Sequence, residues 1–220
     1  MLDKNIHRHI LFQILKDIFE SNFSKHLAFK GGTACYFLHG LDRFSTDLDF
    51  DLLDTDDNID NEVINILKKY GTIKKGNKIV LSYANDADNI KIDINRNIWK
   101  NNTYETKNFF GTDLRVQTKE TIFANKLVAL TERNTNRDIY DVYFFFKNMW
   151  EINEKIILER TGRSKKELFE VIIHKLKHLG NNYKILDGLG DVLDRKQKAF
   201  VKEKLVKELI GVLEFQMSFG

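Results

Sequence analysis

The stretch TDLDFDLL, Thr46 to Leu53, constrains the fold more than any other part of the chain. Leu48, Phe50 and Leu52 fall on one side of a period-two pattern and Asp47, Asp49 and Asp51 on the other, the alternation of a half-buried β-strand. Aspartate is a poor strand former and parallel carboxylates repel, so acids at every outward position destabilise a strand unless positive charge faces them. Asp47 and Asp49 project the same way with Cα atoms about 6.5–7 Å apart, which lets both carboxylates converge on one hard cation. The alternative is an exposed edge strand guarded by its charges.

A third acid is available from NIKIDIN, where Ile90, Ile92 and Ile94 share one face and Lys91, Asp93 and Asn95 the other. If this strand lies beside the first with apolar faces toward a common core, Asp93 joins Asp47 and Asp49 on one sheet surface. An isolated strand Asp can equally be solvated. Three acids on neighbouring strands would suit one or two Mg²⁺ ions, which take oxygen ligands and complete their shell with substrate phosphates. Upstream, Gly31 and Gly32 open a short predicted helix running to Gly40. Free N–H groups and the positive end of a helix dipole favour an anion there, and Thr33 adds a hydroxyl donor. A plain helix-entry turn is the alternative.

Residues 4–20 read as an amphipathic helix carrying Ile6, Ile10, Leu11, Ile14, Leu15 and Ile18 at helical spacing. Further helices are expected at 60–70, 119–132 and 138–149, and strands at 77–84 and 89–98 around the turn-rich NDAD, with LRVQT as a short strand. Beyond Trp150 the pattern is helical alone, over 153–160, 164–179 and 194–217. The expected division is therefore a mixed α and β domain over 1–150 and a helical domain over 151–220. With 42% hydrophobic and 30% charged residues, the 220-residue chain can fill a real core and is neither disordered nor membrane-embedded in composition. The N-terminus MLDKNIHRHILFQILKDIFE is broken by charge where a secretory leader would be apolar, so a cytoplasmic protein with no membrane association is expected. The lone Cys35 reads as a core residue, His39 as covering a helix end, and a net charge of +3 is too small to diagnose nucleic-acid binding.

The segment KGGTACYFLHGLDRFSTDLDFDL resembles the signature of the AbiEii/AbiGii-type toxins, within the DNA-polymerase-β-like nucleotidyltransferase superfamily. The resemblance spans roughly residues 25–147, and RFSTDLDF, with Arg43, Ser45, Asp47 and Asp49, is its most specific part. It implies an α+β fold, a small mixed sheet flanked by helices with an all-helical C-terminal part. It further implies an enzyme that transfers a nucleotide from an NTP to an RNA acceptor, the tRNA 3′ end in some relatives, with a cognate antitoxin protein as partner in a toxin–antitoxin or phage-defence system. On this reading Asp47, Asp49 and Asp93 bind a two-metal Mg²⁺ site. Gly31, Gly32, Thr33, Arg43, Ser45 and Lys126 bind the nucleotide.

Further along, TIFANKLVALTERNTNRDIYDVYFF also resembles the family, whose later motifs are a helical lysine and an Arg-Asp-x-x-Asp run. Lys126 lies on an apolar helix, where a lysine either snorkels or serves as a point charge for a triphosphate; the resemblance favours the second. Asp138 and Asp141, three apart, can face one groove, while Asp138 could instead cap its helix; either could be the active acid. His174 and His178 have i, i+4 spacing but no third ligand. Between Arg160 and Lys207 thirteen Lys or Arg stand against six Asp or Glu, suiting either a polyanion or a solvated helical face. Two other functions fit the same residues, a small-molecule nucleotidyltransferase of the antibiotic-modifying kind and a non-catalytic nucleotide-binding module.

Overall fold

The computed structural model describes residues 3–54, 58–84, 89–133, 135–180 and 182–218. Two compact units divide the chain: Met1–Ile98 with Tyr104–Gln117, and Trp99–Thr103 with Thr118–Gly220. The boundary expected near residue 150 falls inside the second unit, because the helices on either side of residue 135 pack on the C-terminal helices.

The first unit is built on one seven-stranded mixed sheet. In chain order the strands are β1 (Leu27–Lys30), β2 (Leu48–Leu52), β3 (Thr72–Lys75), β4 (Ile79–Ser82), β5 (Ile90–Asn95), β6 (Tyr104–Phe109) and β7 (Thr112–Gln117), arranged β3-β4-β5-β2-β1-β7-β6. Strand β5 runs parallel to β2, and β1 runs antiparallel to it on the other side. The apolar rows read from the sequence, Leu48, Phe50 and Leu52 on β2 and Ile90, Ile92 and Ile94 on β5, enter a single core with Leu27, Phe29, Ile79, Leu81 and Val116. The helices α1 (Lys4–Phe19) and α3 (Ile59–Leu67) contribute Ile14, Leu15, Val63 and Leu67 to the same core. Burial at about 25 cal/mol per Å² of apolar surface is the main force holding this layer together. The segment NDAD, expected as a turn, lies outside the described residues.

Asp3 caps α1 by accepting from the N–H groups of Asn5 and Ile6 at 3.0 and 3.1 Å. The inward face of α1 differs from expectation at its start, since Ile6 is 53% exposed and His7 is fully buried. Both His7 nitrogens have partners, the Tyr83 hydroxyl at 2.7 Å and the Thr46 carbonyl at 2.9 Å, which removes the usual cost of a buried ring. Three strands were not anticipated. Strands β1 and β3 are four residues each, too short to show a period, and β6 is polar between its terminal Tyr104 and Phe109. The β6–β7 hairpin closes through Phe110 and Gly111, both at positive φ, the geometry of a two-residue primed turn.

The second unit is helical: α4 (Lys119–Glu132), α5 (Asn136–Lys147), α6 (Glu154–Thr161), α7 (Lys165–Lys177), α8 (Arg195–Glu203) and α9 (Leu205–Ser218). Reciprocal capping boxes start α7 (Ser164 with Glu167) and α8 (Asp194 with Gln197). The helix expected over 194–217 is broken at Lys204, which leaves the helical region of φ and ψ only in part and divides α8 from α9. Among the described residues no helix is long and apolar enough to cross a membrane.

Candidate active site

In the first unit, β1 leads directly into the short helix α2 (Gly31–Leu38), whose N-cap residue Lys30 supplies no side-chain acceptor to the first turn. Gly31 sits at φ +78°, and a Cβ there would overlap the Asp49 carboxylate. Two separate constraints, backbone and close approach, therefore require glycine. At Gly32 a Cβ would fall 2.7 Å from Arg43 Nη2 and 3.0 Å from Ser45 Oγ.

Thr33, Arg43 and Ser45, expected on the phosphate side, are 1%, 2% and 6% exposed. They brace the turn from within. The Thr33 hydroxyl lies 2.9 Å from Ser45 Oγ and donates to the Asp47 carbonyl, while Arg43 Nη1 donates to the Phe44 carbonyl at 3.1 Å. His7 holds the preceding carbonyl, that of Thr46. A buried helix residue and a buried threonine thus fix the segment that delivers Asp47. His7 escaped the sequence reading because a lone histidine next to Ile6 carries no spacing signal.

The acids share one sheet face, as the strand periods required. Asp49 on β2 pairs in register with Asp93 on β5, placing their Cα atoms about 4.8 Å apart. Asp47, two residues back and just before β2, accepts on Oδ1 from the Lys91 N–H at 3.3 Å. Lys78, opposite Asp93 on the β4 side, places its ammonium 2.5 Å from Asp93 Oδ2. Burial pushes that ammonium down, but the hydrogen bond and charge of Asp93, then the charges of Asp49 and Asp47, override it and hold Lys78 above the usual lysine value. Among the described residues no three His, Cys or carboxylate side chains close on one point. The donors are carboxylate oxygens sharing a sheet face, with a side-chain cation lodged against one of them. That chemistry fits a hard divalent ion.

Asp51, the last acid of the row, has a different environment. It is fully buried, with Lys30 Nζ at 2.5 Å and Asn95 Nδ2 at 3.0 Å from Oδ1, and the Tyr104 hydroxyl at 2.9 Å and Gln117 Nε2 at 2.5 Å from Oδ2. Four donors from β1, β5, β6 and β7 converge on one carboxylate, which ties the strands together.

In the second unit, Lys126 on α4 places its ammonium 2.6 Å from Asp138 Oδ1 and 2.9 Å from Asp141 Oδ2, both on α5. Asp138 also receives Arg133 at 2.7 Å, so its carboxylate serves an ion-pair network rather than a helix cap. Arg137 donates to the Gly188 carbonyl at 2.7 Å. Lys175 donates to the carbonyls of Leu130 and Arg133 at 2.6 and 2.8 Å, closing the C-terminal end of α4. Arg160, Lys165 and Lys177 are paired with Glu132, Glu154 and Glu214, so part of the basic excess has internal partners. The His174 and His178 rings stack at 4.1 Å, and His178 Nδ1 bonds to the His174 carbonyl.

Burial pushes the Asp138 carboxyl up, but the charges of Lys126 and Arg133 outweigh it and hold it below the ordinary aspartate value. A depressed native value means the unfolded chain takes up its proton first as pH falls, so this contribution is intact above about pH 4 and is lost below it. Acid unfolding of the native chain should show the loss between about pH 5 and pH 2, and Asp138→Asn should show a flatter dependence in that window. Equal slopes would remove the network from the account of acid stability.

A sheet with acids on adjacent parallel strands, facing a glycine turn at a helix start, defines the nucleotidyltransferase class of fold. The chain shares it with JHP933 from Helicobacter pylori at a TM-score of 0.57 and 20% identity, covering 98% of this chain and 96% of that one. It shares it also with MenT4, a nucleotidyltransferase toxin from Mycobacterium tuberculosis, at 0.61 and 16%, covering 96% and 84%. No curated protein matches the sequence. The chain belongs to the AbiEii family of nucleotidyl transferase toxins of type IV toxin–antitoxin systems, whose family model it matches over residues 13–209.

Proposed function

We propose that this nucleotidyltransferase moves a nucleotide from an NTP to an RNA acceptor, the tRNA 3′ end, in a Mg²⁺-dependent reaction, as the toxin partner of a cognate antitoxin with a role in phage defence. The observation that carries the chemistry is the register of Asp49 with Asp93, with Asp47 two residues back and the Gly31 backbone against Asp49.

Asp47, Asp49 and Asp93 would hold the metal, which would supply positive charge to the triphosphate oxygens. The start of α2, to which the N-cap residue Lys30 gives no side-chain bond, would receive phosphate oxygens on its N–H groups, and Gly31 and Gly32 would let them approach the backbone. Arg43, Ser45 and Thr33 keep that turn and the Asp47 segment in position. The acceptor hydroxyl oxygen forms a bond to the α-phosphorus while the bond from that phosphorus to the bridging oxygen breaks. Pyrophosphate leaves with the electron pair, and the hydroxyl proton passes to Asp93 and on to solvent. In the second unit Lys126 is assigned phosphate binding, with Asp138 and Asp141 fixing its ammonium. Catalysis on this plan is chiefly positioning and charge neutralisation.

The test is the purified chain with Mg²⁺, each labelled NTP in turn and total tRNA, beside Asp49→Asn. Label enters RNA with the native chain and not with the variant; equal labelling from both removes the assigned roles. The glycine turn gives a second check. Gly31→Ala should lower transfer roughly 100-fold by displacing the Asp49 carboxylate, at a stability loss of about 1–2 kcal/mol from its φ. Gly40→Ala, at φ +70° with open space around it, should lose similar stability and keep its rate. Parallel rates for the two variants would show that only backbone strain matters at Gly31.

A further inference from the structure

On the β3–β4–β5 side of the acids lies an open groove of about 480 Å³, lined by Asp47, Lys74, Lys75, Lys78 and Lys91 with Asn77. Among the described residues four lysines border it and one acid does. Register explains the grouping. Lys74 on β3 pairs with Val80 on β4, Val80 pairs with Lys91 on β5, and the Lys91 N–H bonds Asp47. A row therefore runs across β3, β4 and β5 to Asp47, just before β2, with Lys74 and Lys91 about 10 Å apart at the Cα atoms. Lys75 is paired with Asp60 at 3.4 Å and Lys78 with Asp93 at 2.5 Å. Among the described residues no counter-ion is placed against Lys74 or Lys91.

We infer that this groove holds the phosphodiester backbone of the single-stranded 3′ end of the RNA acceptor, with Lys74 and Lys91 as its phosphate contacts. The inference rests on the nucleotidyl-transfer reading and adds the path of the acceptor to it. The sheet order supports the assignment. Strands β2 and β5 carry the acids; the glycine turn lies on the β1 side of them, and the groove lies on the β4 side. In-line displacement needs its incoming and leaving oxygens on opposite sides of the reacting phosphorus. A triphosphate at the glycine turn leaves the lysine side for the acceptor. The competing explanation is protective charge on β3, the outer strand of the sheet, which would require no ligand.

Fluorescence anisotropy with a labelled short RNA bearing a single-stranded 3′ tail tests this across a range of salt. The native chain is compared with the Lys74→Gln/Lys91→Gln double variant and with Lys74→Arg/Lys91→Arg. Two lost phosphate contacts predict roughly ten- to thirtyfold weaker binding near 0.1 M salt, and a slope of log K against log salt shallower by about 1.4. The arginine pair should restore both, and affinity for a fluorescent NTP analogue with Mg²⁺ should stay within about twofold in every variant. Unchanged RNA affinity and slope in the glutamine pair would overturn the inference in favour of edge protection. A parallel fall in NTP affinity would overturn it in favour of the triphosphate. If the native chain transfers nucleotide to an acceptor yet binds no RNA, the groove assignment fails and the enzymatic reading stands. Lysine-dependent RNA binding without any nucleotide transfer has the reverse meaning.

Discussion

Asp49→Asn is expected to lower nucleotidyl transfer by about a thousandfold and to leave the melting temperature nearly unchanged. On the role proposed for Asp49, in holding the metal beside the triphosphate, the size follows from removing one preorganised charge, typically 10²–10³ in kcat or more. The thermal result follows from the surroundings. Asp49 is half-buried beside Asp93 in register and Asp47 two residues away, and the Lys78 ammonium offsets part of the repulsion among the three. Asparagine keeps the shape that fits against Gly31 and gives up both the repulsion and the attraction to Lys78, so the two nearly cancel. Rates from label incorporation and a thermal melt read the two halves independently. A variant that loses several degrees in Tm along with its rate would make Asp49 a structural residue.

The second large effect is the reverse. Asp51→Ala should cost about 3 kcal/mol and lower Tm by about 6–12 °C, because removal of one member of a buried ionic network leaves the others without their partner. Lys30, Asn95, Tyr104 and Gln117 all point donors at this carboxylate. A chemical denaturation curve measures the loss. Whatever protein stays folded should retain nucleotide transfer far better than Asp49→Asn does. Full stability in Asp51→Ala would show that the network contributes no more than its solvated parts.

These two substitutions mark where the sequence stops informing. In TDLDFDLL the acids are equivalent by period, and nothing in the spacing separates a ligand from a buried anchor. The difference arises because β1, β6 and β7 deliver Lys30, Tyr104 and Gln117 to Asp51, and two of those strands show no pattern of their own. Strand β1 is only LAFK, and β6 is YETKNF. Thr33, Arg43 and Ser45 were expected as nucleotide-binding residues from the sequence; their burial depends on how α2 lies against the segment before β2. Lys126, Asp138 and Asp141 were legible as a group; that the lysine is held between both acids required α4 and α5 to pack.

The sequence alone determined the strands β2 and β5, the acid-bearing face they share, the glycine turn and the family, because strand period and local backbone chemistry are written in adjacent residues. Tertiary structure alone decided which acid is enclosed, that His7 reaches Thr46, and that Lys74 and Lys91 align with Asp47. The first and third depend on strand register and the second on how α1 packs, and both are set by a common core rather than by neighbours in the chain.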